Sequence, residues 1–387
     1  MEQFDIIILG AGASGCMCGA TCLYNGKRVL MIDKANMAGK KLLATGNGRC
    51  NISHIGLNRK HAYNQELDAY FSRFDDGSAI TFFKNIGLEL CSDEEQRLYP
   101  RTMSAKSVID VFANQFAKNR NLTIKTETEI LSVTKENNLF NVCTNNGNFS
   151  CEKLVIALGG NKGQEILEKF DIAYQQFIPS LCGLKTEKTK LLENTKVSNV
   201  KVTATTKSGR SYSEKGEILF KDSGISGICI FNLSAMFARE GTYSGQLSID
   251  LMPDYDDKFL KVLLHQRKNI DIKVSKFFEG LFVNPLAYHL LNILKLDEEK
   301  SSKHLTDNEI DKMAKLIKNL TFTVKGNYDN NQVFSGGVHL SSLDENLQSK
   351  QVPNLYFCGE ICDVDGICGG YNLQWAWTSG YIVGISL

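Results

Sequence analysis

The sequence predicts an α/β fold: a Rossmann-type dinucleotide-binding domain interrupted by a β-barrel-like domain and a helical segment. Three observations carry this. A glycine-rich turn lies between an apolar strand-like run and a helix-like run near the start, and an acid follows it by about 20 residues. From residue 183 the pattern changes to short alternating strands. The final stretch returns to a buried strand, Asn354 to Cys358, then a glycine loop and a helix from about Tyr371.

The opening elements form a βαβ unit: strand Phe4 to Leu9, helix Ala13 to Asn25, strand Arg28 to Ile32. Between the first two lies Gly10-Ala11-Gly12-Ala13-Ser14-Gly15, with G-x-G-x-x-G spacing. Gly10 permits the tight turn, Gly12 admits a pyrophosphate close to the backbone, and Gly15 lets helix and strand approach. Ala13 and Ser14 open the helix, whose free N–H groups and partial positive charge face the phosphates. Asp33 ends the second strand, where a carboxylate accepts a ribose 2′-OH and repels a 2′-phosphate. Lys34 beside it joins the cofactor set.

Residues 64–90 read as helical through Leu67, Tyr70, Phe71 and Phe74, and Ser107 to Asn119 repeats the pattern. Leu122 to Lys125 and Glu129 to Val133 read as strands, with Val133 assigned to the cofactor set. Asn138 to Cys151 reads as a hairpin around Asn145-Asn146-Gly147. Leu154 to Leu158 is a buried strand that carries Ala157 into Gly159-Gly160, where backbone meets a second ligand edge. Residues 1–182 and 334–387 are thus assigned to one discontinuous domain, and 183–256 with 320–333 to the barrel. Residues 257–319 are helical, with apolar spacing at Phe277, Phe278, Leu281, Phe282, Leu290, Leu291 and Leu294. They are expected to form a lid over the cofactor.

The C-terminal motifs favour a flavin dinucleotide over a nicotinamide one. Gly359-Glu360 follows a buried strand, with Asp363 and Asp365 beyond it; acids there suit the hydroxyls of a ribityl chain. Gly369-Gly370-Tyr371-Asn372 then opens a helix carrying Gln374, and a helix N-terminus beside N1 and C2=O stabilises a reduced anionic flavin. The loop Thr45-Gly46-Asn47-Gly48-Arg49-Cys50-Asn51, preceded by Lys40-Lys41, offers amides and cations to a pyrophosphate or flavin edge. Tyr371 and Cys50 are the candidates for a proton donor. The six histidines form no metal-spaced cluster, so no metal is expected. No G-x-S-x-G elbow and no second G-x-G-x-x-G are present.

Composition narrows the classes further. At 43% hydrophobic, 22% charged and net +1, the 387-residue chain has the balance of a soluble globular protein, and no nucleic-acid partner is expected. Twelve cysteines without C-x-x-C pairing fit a reducing, cytoplasmic setting. The uncharged stretches Ile6 to Tyr24 and Gly366 to Leu387 carry too many glycines and polar residues to span a membrane.

These motifs, in this order, resemble the BaiN/YhiN-like family of FAD-dependent oxidoreductases, with its aminoacetone-oxidase-like members. The matching blocks are DIIILGAGASG, GKKLLATGNGRCN at 39–51, RLYPRTMSAKSV at 97–108, VIALGG at 155–160, GEILFKDSGISG at 216–227 and LYFCGEICDVDGICGGYNLQWAWTSG at 355–380. The resemblance implies FAD held by an interrupted Rossmann domain, with 46–51 and 369–374 lining the flavin. Two departures are Lys221-Asp222, where the family pattern has a Thr-His pair, and Asp33, where flavoproteins more often carry Glu. The resemblance further implies an NAD(P)H-dependent reductase of an electron-poor C=C bond in a small hydrophobic substrate, such as a 3-oxo-Δ4 or Δ6 steroid. The alternatives are an amine oxidase of the aminoacetone type and a non-catalytic flavin-binding sensor or scaffold.

Overall fold

A computed structural model describes residues 1–22, 26–57, 62–187, 189–329 and 331–387. The chain divides into two units, Met1–Ile178 with Val333–Leu387 and Pro179–Gln332. The expected boundaries, 182/183 and 333/334, lie within a few residues of these.

The first unit opens with β1 (Glu2–Leu9), α1 (Ala13–Cys22) and β2 (Val29–Ile32). The end of the expected helix, residues 23–25, lies outside the described residues. A 3-10 segment covers Lys40–Gly48, followed by β3 (Ser53–His54), α2 (Asp68–Phe71), α3 (Asp76–Asn85), β4 (Leu90–Ser92), β5 (Arg97–Pro100) and α4 (Ala105–Ala117). The single helix expected over 64–90 is therefore two short ones. The turn between them is fixed by Asp75, whose carboxylate accepts from Ser78 N and caps α3. Then come β6 (Leu122–Lys125), β7 (Ile130–Glu136), β8 (Leu139–Thr144), β9 (Gly147–Ile156), α5 (Gln164–Lys169) and β10 (Tyr174–Ser180). The run expected as a separate strand at 154–158 is the second half of β9. Its first half pairs with β8 and its second half with the later β18.

The second unit contains β11 (Leu184–Thr186), β12 (Lys196–Thr206), β13 (Ser211–Lys221), β14 (Gly224–Ser226), α6 (Ile228–Arg239), β15 (Gly245–Asp250), α7 (Asp257–Lys268), α8 (Asn284–Leu294), α9 (Asp307–Lys318) and β16 (Leu320–Asn327). Its strands close into a barrel in the order β11-β14-β13-β12-β15-β16. From Val200 onward β12 turns Val200, Val202, Ala204 and Thr206 inward and Lys201, Thr203 and Thr205 outward, the period-2 pattern of a half-buried strand. The stretch 197–251 is not all strand: α6 interrupts it, buried on most sides and so lacking the polar face that reveals a helix. Phe277, Phe278, Leu281 and Phe282 lie in turns before α8, not on a helix. Phe277, Phe278 and Leu290 are fully buried in one apolar core shared by the barrel and α7–α9.

The chain returns to the first unit through β17 (Val333–Val338), β18 (Leu355–Phe357) and α10 (Tyr371–Ser386). The main sheet runs β6-β2-β1-β9-β8-β7, with β18 also on β9; β6, β2, β1, β9 and β18 are parallel. Four strand ends converge at one edge, where Gly10, Asp33, Ala157 and Cys358 follow β1, β2, β9 and β18. Ligands of open α/β sheets sit outside such carboxyl ends. The uncharged C-terminal stretch is α10, whose Gly380 and Gly384 lie against Ser14 O and the Thr21 side chain of α1. Among the described residues no helix is long and apolar enough to cross a membrane.

Candidate functional site

The three glycines of the first turn are glycine for three different reasons. Gly10 has φ +101°, and a Cβ there would lie 2.3 Å from Ala157 O. A Cβ on Gly15 would lie 2.0 Å from Gly10 O, so helix and turn touch through backbone. A Cβ on Gly12 would meet nothing within 4 Å: the protein leaves open the space a pyrophosphate would fill. Asp33 braces this turn. Its Oδ2 accepts from Ala11 N at 2.7 Å and its Oδ1 from Ala35 N at 2.7 Å. Each oxygen retains acceptor capacity for a ribose hydroxyl. Ser14 Oγ donates to Cys358 O, while Ser379 Oγ and Trp375 Nε1 hold the two backbone groups of Gly359.

Cations gather beside the turn. Lys41 Nζ stands 3.8 Å from Glu360 Oε2, and Glu360 Oε1 accepts from Phe334 N at 2.8 Å. Gly159, at φ +70°, passes so close that a Cβ would lie 3.1 Å from Glu360 Oε2 and 3.6 Å from Lys41 Nζ. Gly160 lies against the Phe334 ring. Lys162 joins this group, although no motif marked it in the sequence. Burial lowers its ammonium pKa, and Lys41 and Lys34 lower it further against the pull of Asp33 and Glu360. Three ammonium groups near an open glycine turn repel one another until an anion is present, which fits a diphosphate.

The loop at 46–51 is built on left-handed backbone, with Gly46, Asn47, Gly48 and Cys50 at φ 55°, 55°, 83° and 60°. Arg49 holds it by donating from N and Nε to Gly46 O, and its guanidinium lies 5.2 Å from the Tyr99 ring centre. Asn51, with its amide oriented to satisfy both ends, donates to Ser53 O at 2.9 Å and accepts from Gly370 N at 3.1 Å. That bond joins the loop to the start of α10. A Cβ on Gly370, at φ +100°, would lie 2.4 Å from Ser53 O.

The side chains around the α10 start are committed to the protein itself. Buried Gln374 accepts from Ser53 Oγ at 2.6 Å and donates to Thr378 Oγ1, and Asn372 bonds both backbone groups of Gly366. What this end offers a flavin is therefore the backbone amides of α10. Tyr371 is buried, stacked on His54 at 5.0 Å and edge-on to Tyr63 at 5.6 Å. Cys50 is buried too, and burial pushes its thiol up to about 11, so it stays protonated at neutral pH. Val133 lies in β7 opposite Val142 with its side chain buried.

Asp363 accepts from Asn64 Nδ2 at 3.0 Å and Gln65 Nε2 at 3.3 Å, with His339 Nδ1 at 3.8 Å. Burial and then Asp365 raise its carboxyl pKa, against His339. Asp365, buried, accepts from Ser335 Oγ at 2.8 Å. His339 and Ser335 escaped the sequence reading. Their marker was the doublet Gly336-Gly337, at φ +99° and +125°, which passes tightly against Gln176 O and Ile361 O.

A family model described as HI0933-like protein Rossmann domain matches residues 4–386. The chain is 32% identical to a ribosomal RNA dihydrouridine synthase of Escherichia coli K12, over 98% of this chain and 97% of that one. It is 28% identical to a 3-dehydro-bile acid delta(4,6)-reductase of Clostridium scindens, covering 97% of each. A second ribosomal RNA dihydrouridine synthase, from Haemophilus influenzae, is 26% identical over 100% of this chain and 99% of that one.

Proposed function

Because the chain belongs to the HI0933-like family of FAD-binding Rossmann proteins, we propose that its flavin reduces a C=C bond conjugated to a carbonyl, and that this bond is C5=C6 of a uracil in ribosomal RNA. The flavoprotein oxidoreductase class itself follows from the family. One observation carries the finer reading. The full-length relatives bear two different substrate names, yet both describe saturation of a C=C bond next to a carbonyl. In uracil the partner is C4=O; in the steroid it is the 3-oxo group. NAD(P)H is the proposed electron donor. The uracil assignment departs from the expectation of no nucleic-acid partner, which rested on the near-neutral charge of the whole chain.

FAD supplies the hydride; the chain's own residues bind and orient it. Gly12 with Lys34, Lys41 and Lys162 would take the diphosphate, and the 46–51 loop, joined to the start of α10 through Asn51, would line the flavin. Glu360 and Asp363 would take the sugar and ribityl hydroxyls, and the first amides of α10 would face the flavin's N1–C2=O edge.

A second reading keeps the same chemistry on a 3-oxo-Δ4 or Δ6 steroid, favoured by the 28% identical relative. The test is anaerobic. Flavin reduced with NADH, NADPH or dithionite is mixed with an unmodified ribosomal RNA transcript, or with a Δ4-3-oxo steroid. Return of the oxidised flavin spectrum with the transcript, and a gain of two hydrogens on a uridine by mass spectrometry, is the expected result. Reoxidation by the steroid alone would select the second reading. Flavin reduction by an amine, with neither C=C compound reacting, would overturn both in favour of the oxidase.

A further inference from the structure

Resting on the RNA reading above, we infer that the outward face of the barrel around β12 and β13 binds the phosphodiester backbone of that RNA. The near-neutral total charge conceals an asymmetry. Residues 179–332 hold 23 Lys and Arg against 19 Asp and Glu, a net +4, while the other unit holds 21 against 24, a net −3. On the barrel the excess is concentrated at one place. Lys201 and Lys215 face each other directly across the β12–β13 ladder, both exposed. Like charges at directly opposed positions cost stability; the acid on the other side of Lys201 across the β12–β15 ladder, Asp250, is paired with Lys318 at 2.6 Å and leaves the two lysines uncompensated. Exposed Lys207 lies at the far end of the hairpin, roughly 20 Å along the strand. Among the described residues no carboxylate stands within 4 Å of Lys201, Lys207 or Lys215. Lys196 and Lys325, by contrast, are each paired with a glutamate.

Between the cations the face is made of hydroxyls. Thr203 pairs with Ser213 at 2.8 Å and Thr205 with Ser211 at 2.9 Å, and the ladder continues through Ser248 on β15 and Thr321 on β16. In each hydroxyl pair one O–H is used and the other remains free to donate. The valines, alanine, leucine and isoleucine of these strands point inward. The face therefore lacks the aromatic or aliphatic anchors of a protein interface, and it has nothing to insert into a bilayer. Lysine ammonium groups framing serine and threonine hydroxyls are the donors that proteins aim at phosphate and sugar oxygens. Such contacts give affinity and position without reading bases, leaving the choice of uracil to the flavin site.

The test measures binding of the FAD-loaded protein to a fluorescein-labelled, uridine-containing ribosomal RNA transcript across a salt series. Lys201→Thr/Lys207→Ser/Lys215→Thr is compared with Lys258→Ala/Lys276→Ala/Lys312→Ala, an equal charge loss at exposed helical and turn lysines. The first variant should weaken binding and reduce the slope of log K against log salt by about 2, at roughly 0.7 per phosphate contact on a single strand. The control should keep the wild-type slope. Equal losses in both variants would reduce the effect to bulk charge, and an unchanged slope would place the phosphates elsewhere; either overturns the inference. Reoxidation of reduced flavin by the transcript at saturating concentration reads the C=C chemistry separately. If it persists while the slopes are equal, the face is wrong and the proposed function stands. If wild-type protein neither binds nor is reoxidised by the transcript, the uracil reading falls together with the face.

Discussion

Gly10, Gly12 and Gly15 are one motif in the sequence but three separate constraints in the molecule. Gly10→Ala and Gly15→Ala would each drive a methyl into backbone carbonyls at 2.3 and 2.0 Å, so both should lower the thermal stability of apoprotein as well as FAD binding. Gly12→Val should behave differently, with near wild-type apoprotein stability and no bound FAD after purification. Calorimetry of the apoproteins beside flavin absorbance of the purified proteins separates the cases. A yellow Gly12→Val protein would remove the pyrophosphate from this turn. Asp33 also acts through the turn, since its carboxylate holds Ala11 N. Asp33→Ala should weaken FAD by about 1–3 kcal/mol, through the freed turn amide as well as any ribose contact. An unchanged FAD dissociation constant would show that the turn holds its shape without the acid. The glycine motif was legible because strand, turn and helix each left a local signal. Lys162 was not, because its role depends on Lys34 and Lys41, which are distant in sequence and meet it only after folding.

The two-faced strand β12 was read correctly in type, and its period-2 alternation survives in its burial pattern. By contrast α6, buried on most sides and marked by no G-x-G or Gly-Gly turn of the kind that opens α1 and α10, was lost among strands. Phe277 to Phe282 have helical spacing but sit in turns, since core burial alone satisfies apolar residues in any backbone conformation. On α8 the same burial has a pH consequence. His289 is buried, its Nδ1 has no hydrogen-bond partner among the described residues, and its ring stacks on Phe322. Burial lowers its pKa, so the folded state disfavours the imidazolium while the unfolded chain protonates near the usual value of about 6.5. The stability of the second unit should therefore be level above that value and fall as pH drops below it. His289→Leu should flatten the fall over the pH range just below it, measured as the midpoint of denaturant unfolding at several pH values. An equally steep loss in the variant would assign the acid sensitivity to other groups.

At the scale of the whole molecule, every residue assigned to the cofactor lies in the first unit, while the basic barrel face lies in the second. The second unit is continuous in sequence and has an apolar core of its own. Its two ends are tied together: Tyr328 N donates to Gly183 O at 2.9 Å, and Gln332 N to Leu181 O at 3.4 Å. On the other side of the junction β10 and β17 pair as a two-stranded sheet, so a short loop can close the first unit. Replacing residues 179–332 with a short Gly/Ser linker should then leave a folded protein that binds FAD and has lost affinity for RNA. Residues 179–332 expressed alone should unfold cooperatively and retain the salt-dependent RNA binding. Removing only 257–319 should be worse than removing the whole unit, because Leu260, Phe278, Leu290 and Ile317 share the core that the barrel strands line. Cutting them away would expose the inward faces of β12 and β15 to water and should give an aggregating protein. Flavin absorbance, chemical unfolding curves and RNA titrations of the three proteins decide the matter. Loss of FAD from the protein lacking 179–332 would mean that the cofactor depends on the inserted unit, and the assignment of the entire FAD cradle to residues 1–178 and 333–387 would have to be withdrawn.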